Sequence, residues 1–305
     1  MQHPHLLHIF SPTKYVSPFD INMAYEAKFD AVIPYCNVEL SEIQSLTQDT
    51  LFSRSPAGVR RTGIFIGGRE FDLALAMLAA ARAAMVPPFA VSVMADPSGA
   101  ITTAAAMVAL AEHWAVKTAG GDLTGRRVCI FGGTGPVGVC TALLAARCGA
   151  HCAIVSHQGR GAALVAADRI NRTHGVALDG LDGSSAAAVR EWLPDMEILF
   201  SAARAGVEVV ATDTLRSAHA LKIIADANAV PPVGVAGVGI KDQGRALAVG
   251  DGGSASALGA LAIGDIKYKV HTALLHQMYE TDSPVFLGHE EAFATARDIV
   301  ARQQQ

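Results

Sequence analysis

From Leu6 to about Ser98, short apolar runs alternate with longer stretches in which apolar residues recur at helical spacing. Leu6 to Phe10, Ala31 to Tyr35, Gly63 to Ile66 and Ala90 to Met94 read as strands: brief runs bounded by turn-forming residues. Between them, a helix over residues 19–28 is expected after Ser17-Pro18. Another is expected over residues 71–85, rich in Ala, Leu and Met and stopped by Pro87-Pro88. This alternation predicts an α/β domain. Thr102 and Thr103 then read as caps of a long Ala-rich helix, expected to reach about Thr118 before Gly120-Gly121 and to join two domains.

A second alternating series begins at Arg127, with strands expected near Val128 to Phe131, Cys152 to Val155, Val176 to Leu178, Ile198 to Phe200 and Leu221 to Ala225. That order predicts a doubly wound parallel sheet. Beyond Gly264, the stretches 266–279 and 290–302 have the patterning of amphipathic helices and are expected to return to the first domain. The expected division is therefore a smaller α/β domain of residues 1–103 and 265–305, and a doubly wound domain of residues 104–264.

The length of 305 residues agrees with two domains. Hydrophobic residues at 51% and charged residues at 17% exclude a disordered or collagen-like chain. A net charge of -4 without a block of Lys or Arg argues against nucleic acid as a partner. The run from Ile101 to Leu110 meets Glu112 and His113, and the run from Ile223 to Ile240 contains Asp226, Pro231 and Pro232, so no membrane span is expected. Met1 to His5 lack the basic and apolar parts of a secretory signal, and a cytoplasmic enzyme is expected. The five cysteines form no Cys-x-x-Cys pair, and His3, His5 and His8 sit near the amino terminus. Reduced thiols, structural histidines and no metal are expected.

Gly133-Thr134-Gly135-Pro136-Val137-Gly138 is a Gly-x-Gly-x-x-Gly directly after a strand and before an apolar helix. Glycines there let backbone N–H groups approach a pyrophosphate, while the helix amino end adds positive potential. The second domain therefore reads as a Rossmann-type NAD(P)-binding domain. An acid closing the next strand would receive the ribose hydroxyls of NAD. Instead, no Asp or Glu occurs from Leu123 to Ala167, and the strand ends in Ser156-His157-Gln158-Gly159-Arg160. Ser156 and Gln158 can hydrogen-bond a ribose phosphate and Arg160 can neutralise it, which favours NADP over NAD.

Beyond this loop, several segments resemble the bacterial NAD(P)-dependent methylene-tetrahydromethanopterin dehydrogenases. They are Ser17-Pro18-Phe19-Asp20, the stretch from Arg61 to Gly68, Asp96-Pro97-Ser98-Gly99 with Thr102-Thr103, the stretch from Asp226 to Pro232, and Gly259 to Gly264 followed by Lys267 and Lys269. The resemblance spans nearly the whole chain in order. It implies two domains with the pterin in a cleft against the nicotinamide, and a homo-oligomer, a trimer. Gln158 departs from a branch of the family that carries an acid there and accepts both cofactors, which leaves NAD as an alternative. The related tetrahydrofolate dehydrogenase/cyclohydrolases use a Tyr-x-x-x-Lys pair. None of the five tyrosines here has Lys four residues later, so cyclohydrolase activity is not expected.

Oxidising an N–CH2–N bridge to N=CH–N+ removes a hydride and releases no proton. Catalysis then needs positioning and electrostatics rather than a general acid or base. Lys267 and Asp20 are expected to position the substrate, and Asp96, Thr102, Asp226 and Asn228 to bind it. Two rival readings are a methylene-tetrahydrofolate dehydrogenase using the same hydride step, and a non-catalytic NADPH-sensing protein.

Overall fold

The computed structural model describes residues 3–281 and 283–303. Met1 and Gln2, part of the amino-terminal reading above, lie outside them. The strands are β1 (Leu6–Phe10), β2 (Ala31–Tyr35), β3 (Thr62–Ile66), β4 (Ser92–Ala95), β5 (Arg127–Phe131), β6 (His151–Ser156), β7 (Asp179–Asp182), β8 (Ile198–Ser201), β9 (Ile223–Asp226), β10 (Gln243–Val249), β11 (Gly253–Leu258) and β12 (Phe286–Leu287). The chain forms two compact units: residues up to Thr102 with Tyr268–Thr295, and Thr103–Lys267 with the residues from Ala296 onward.

The first unit holds a five-stranded parallel sheet in the order β12-β4-β3-β1-β2. All five residues of β3 are buried, as expected for a central parallel strand covered on both faces. Pro34 is tolerated in β2 because β2 is an edge strand, where a missing amide breaks no ladder bond on the outer side. Phe10, Phe65, Ile64, Met77 and Met94 are completely or almost completely buried. Each such side chain contributes about 1.5–3 kcal/mol of apolar transfer.

The second unit holds a seven-stranded sheet in the order β10-β11-β9-β8-β5-β6-β7, parallel except for β10. The chain builds outward from β5 through β6 to β7, then returns to β8 on the other side of β5. The strand order therefore reverses between β5 and β8, the topological switch point at which ligands of such sheets bind. Phe131, Val155, Leu199 and Ile224 belong to one buried cluster in this unit. The doubly wound sheet and the smaller parallel domain agree with the expected fold class.

Several expectations need correction. The strand expected at Val176 to Leu178 forms at Asp179–Asp182 instead. The Asn171 side chain accepts from the Leu178 amide at 2.7 Å and donates to its carbonyl at 3.0 Å, taking Leu178 out of the ladder. The polar β7 is accommodated because it lies at the sheet edge. Thr102 and Thr103 are not caps but lie within the helix Ala100–Ala119. That helix continues through Glu112 and His113, with Glu112 accepting two hydrogen bonds from Arg297 at 2.7 and 2.6 Å. The segment Pro97–Ala119 is long and apolar enough to cross a membrane, but 72% of its apolar window is buried within the protein, which makes it a core helix.

The helix expected from Ile266 begins at Ala260 and runs to Glu280, with Gly264 inside it. Gly259 precedes it because a Cβ there would strike the Gly239 and Ile240 backbone. The hairpin β10–β11, the short strand β12 and the helix Ile43–Phe52 were not expected. In β10 a bulge falls at Gly244, whose φ of 84° and contact with the Trp114 ring leave no place for a side chain.

Candidate active site

The helix Pro136–Arg147 starts one turn after β5, with Pro136 in its first turn and Gly135 at its amino cap. The glycines of this loop are present for different reasons. Gly132 has φ 73°, and a Cβ there would strike the Ala202 carbonyl. A Cβ on Gly133 would come within 2.6 Å of the Ile154 side chain, and one on Gly138 would meet the Gly132 backbone. These three allow strand, loop and helix to pack.

Gly135 is different. Its φ of -83° suits any residue, and a Cβ there would meet only the Gly132 carbonyl oxygen at 3.5 Å, an ordinary contact. Nothing within the protein requires glycine at this position, yet it lines a cleft of about 810 Å³ together with Gly132, Thr134, Ser156 and His157. A backbone left bare at a helix amino end beside a cleft suits close approach by a pyrophosphate. The residues present therefore fit a dinucleotide.

Of the expected cofactor residues, Thr134, Gly135, Ser156 and His157 line the cleft; Gly133 lies in the loop outside that lining, and Pro136, Val137 and Gly138 form the first turn of the helix that follows. Ser156 closes β6, and its hydroxyl accepts the Gln158 amide at 3.1 Å. Gln158 and Arg160 are exposed outside the cleft lining, with Arg160 the first residue of the helix Arg160–His174. The loop after β8, through Ala202, Ala203 and Arg204, forms another wall that the sequence reading missed. It carries no motif.

Asp182 was also missed. It closes β7, opposite Ser156 in the ladder, and its carboxylate accepts from the Ser184 amide at 2.8 Å. Hydrogen bonds from the Ser184 hydroxyl and amide hold this carboxyl below the ordinary range. It is therefore a fixed negative charge beside the end of β6.

In the first unit, Ser17 caps the helix Pro18–Glu26, and Asp20 lies buried in its first turn. Asp96 is fully buried and accepts from the amides of Ile101 and Thr102 at 2.9 and 3.2 Å and from the Thr102 hydroxyl at 2.6 Å. It anchors the start of the helix Ala100–Ala119, the part the sequence had assigned to Thr102 and Thr103. His271, also missed, completes its shell.

In the second unit, Asp226 ends β9 and accepts from the amides of Asn228 at 3.1 Å and Val235 at 2.9 Å. Burial pushes its carboxyl upward, and these amides, with the Ser201 hydroxyl, oppose that shift. Asn228 accepts from the amides of Gly206 and Val230 and donates to the Pro232 carbonyl. Both side chains thus brace the loop from Asp226 to Val235. Lys267 is half-buried within the helix Ala260–Glu280 rather than beyond a turn.

Among the described residues, no group of three or more His, Cys, Asp and Glu is placed to hold a metal ion. The five cysteines are free thiols; burial pushes Cys152 up to about 12 and Cys148 up to about 11. His8 is spent on a 3.2 Å hydrogen bond with the Tyr35 hydroxyl.

A glycine loop at the switch point of a doubly wound sheet, joined to a second parallel α/β unit, defines a two-domain protein of dinucleotide-binding architecture. Quinate dehydrogenase from Corynebacterium glutamicum, solved in complex with NAD, shares this fold: TM-score 0.53 and 11% identity, covering 96% of this chain and 98% of that one. Residues 18–98 match the amino-terminal domain of methylene-tetrahydromethanopterin dehydrogenase. The NAD(P)-dependent methylenetetrahydromethanopterin dehydrogenase of Methylorubrum extorquens is 40% identical over 294 residues, covering 96% of this chain and 98% of the relative. The bifunctional protein MdtA of the same organism is 31% identical over the same shares. The chain belongs to the methylene-tetrahydromethanopterin dehydrogenase family.

Proposed function

We propose that this protein is an NAD(P)-dependent methylene-tetrahydromethanopterin dehydrogenase, oxidising the methylene bridge of 5,10-methylene-tetrahydromethanopterin to the methenyl cation during one-carbon (formaldehyde) oxidation. The observation that carries this reading is the 40% identity, across 96% of the chain, to a relative named for that activity. The bare Gly135 beside the cleft supports the nucleotide half of it.

A dinucleotide held in the cleft would supply the hydride acceptor. The C–H electron pair leaves the methylene carbon, and the flanking nitrogens stabilise the cation that remains, so no residue has to move a proton. The chain's task is positioning. The glycine loop and the helix amino end hold the pyrophosphate. Asp20 and Lys267 orient the pterin, while Asp96 with Thr102, and Asp226 with Asn228, contribute to its site by fixing the segments that carry it. NADP is the preferred acceptor and NAD the second, with Arg160 facing the 2′-phosphate. The protein acts as a cytoplasmic homotrimer.

The test is turnover of purified protein with methylene-tetrahydromethanopterin and with methylene-tetrahydrofolate, each with NADP and NAD. The proposal expects a strong preference for the methanopterin. Equal or greater turnover of the folate favours the rival pterin, and binding of NADPH without turnover of either favours a sensing protein. Arg160→Ala should reduce kcat/KM for NADP by about 1–3 kcal/mol in transition-state terms and leave that for NAD nearly unchanged.

A further inference from the structure

We propose that Asp182 is a specificity-determining residue that weakens the hold on a 2′-phosphate and so keeps NAD usable beside NADP. This rests on the dinucleotide reading of the cleft. In a doubly wound nucleotide domain the adenosine ribose hydroxyls are met at the end of the second strand, here β6 with Ser156 and His157. The stretch from Leu123 to Ala167 has no acid, so along the chain nothing there repels a 2′-phosphate.

The fold supplies the missing charge from the neighbouring strand. Asp182 is the ladder partner of Ser156, and its carboxyl is lowered in part by the backbone amide of Arg160, the first residue of the helix that follows β6. A helix amino end at this place would otherwise offer its amides and positive potential to a phosphate. A Cβ on Gly159, the cap of that helix, would come within 3.9 Å of Asp182 Oδ2.

The carboxylate is also held in place. The Trp192 indole donates to the Asp182 carbonyl at 2.8 Å, the Ser184 amide donates to the side chain at 2.8 Å, and the Gly183 amide donates to the Ser156 carbonyl at 2.9 Å. A charge tethered at both backbone and side chain cannot swing away when a phosphate arrives. Arg160 attracts the 2′-phosphate while Asp182 repels it, and a ribose with free hydroxyls carries no charge for Asp182 to repel.

The experiment is fluorescence titration of NADPH and NADH onto the full-length protein and its Asp182→Asn and Asp182→Ser variants, at low and high salt, with circular dichroism to check folding. Serine keeps an acceptor for the amides without the charge and serves if the asparagine variant does not fold. NADPH is expected to bind roughly tenfold tighter to the variants, with NADH changed less than about twofold, and the gain should shrink as salt screens the repulsion. An unchanged NADPH-to-NADH affinity ratio overturns the assignment of Asp182 but leaves the dinucleotide cleft standing. Wild-type protein that binds neither nucleotide overturns the reading of the cleft itself, and this assignment with it.

Discussion

His271 Nδ1 lies 2.9 Å from Asp96 Oδ2, with both side chains completely buried. The imidazole donates through Nδ1, so one carboxylate ties the helix Ala260–Glu280 to the start of the helix Ala100–Ala119 while also accepting from the Ile101 and Thr102 amides and the Thr102 hydroxyl. The His271 ring also sits edge-on to Phe19, 5.6 Å between centroids, in the turn that carries Asp20.

This arrangement makes Asp96 a stability residue. Asp96→Ala should lower unfolding free energy by about 3–5 kcal/mol, because several buried donors lose their acceptor at once. Thr102→Val, which removes only the 2.6 Å hydroxyl bond, should lower it by about 1 kcal/mol. Urea denaturation of the two variants checks the ranking; equal losses would contradict the shared-acceptor account.

The two ends of the glycine loop should respond in opposite ways. Gly135→Ala meets only an ordinary 3.5 Å contact and should keep nearly full stability while weakening dinucleotide binding at least tenfold, by obstructing backbone approach. Gly138→Ala would drive a methyl into the Gly132 backbone and should destabilise the fold by more than about 2 kcal/mol. Thermal melts with and without NADPH separate the two effects.

The Asp226 carboxyl, raised chiefly by burial, gives a signed pH prediction. Its proton is held more tightly in the folded than in the unfolded chain. The group's contribution to stability is therefore complete below the unfolded value of about 3.9 and is lost as pH rises through the higher folded value. Carboxyl carbon resonances followed by NMR should show an Asp226 midpoint above about 3.9. A midpoint below it would mean that the amides of Val235 and Asn228 outweigh burial.

Hydride transfer without proton transfer should be almost independent of pH wherever the fold is intact. Single-turnover measurements isolate the step from product release. Lys267→Ala should lower the rate or weaken pterin binding without creating a titration. A steep single-proton dependence that disappears on replacing Asp20, Asp226 or Lys267 would identify an acid or base and refute the positioning mechanism.

The sequence foretold what depends on neighbours along the chain. The strands β1 and β2 appear at the residues expected, because each is a short apolar run with clear turn residues on both sides. The glycine loop was equally legible, since strand, turn and helix are contiguous. Asp182 and His271 were not. Asp182 reaches Ser156 only through pairing of β6 with β7, and His271 reaches Asp96 across 175 residues. The β7 error has the same origin: Asn171, on the preceding helix, claims the Leu178 backbone by a side-chain contact that no local pattern records.

The most direct test of the central claim is the absorbance of reduced nicotinamide formed when the purified protein is given saturating methylene-tetrahydromethanopterin and NADP or NAD. The account predicts stoichiometric formation of NADPH and the methenyl product, faster with NADP than with NAD. Undetectable turnover with both cofactors would contradict it.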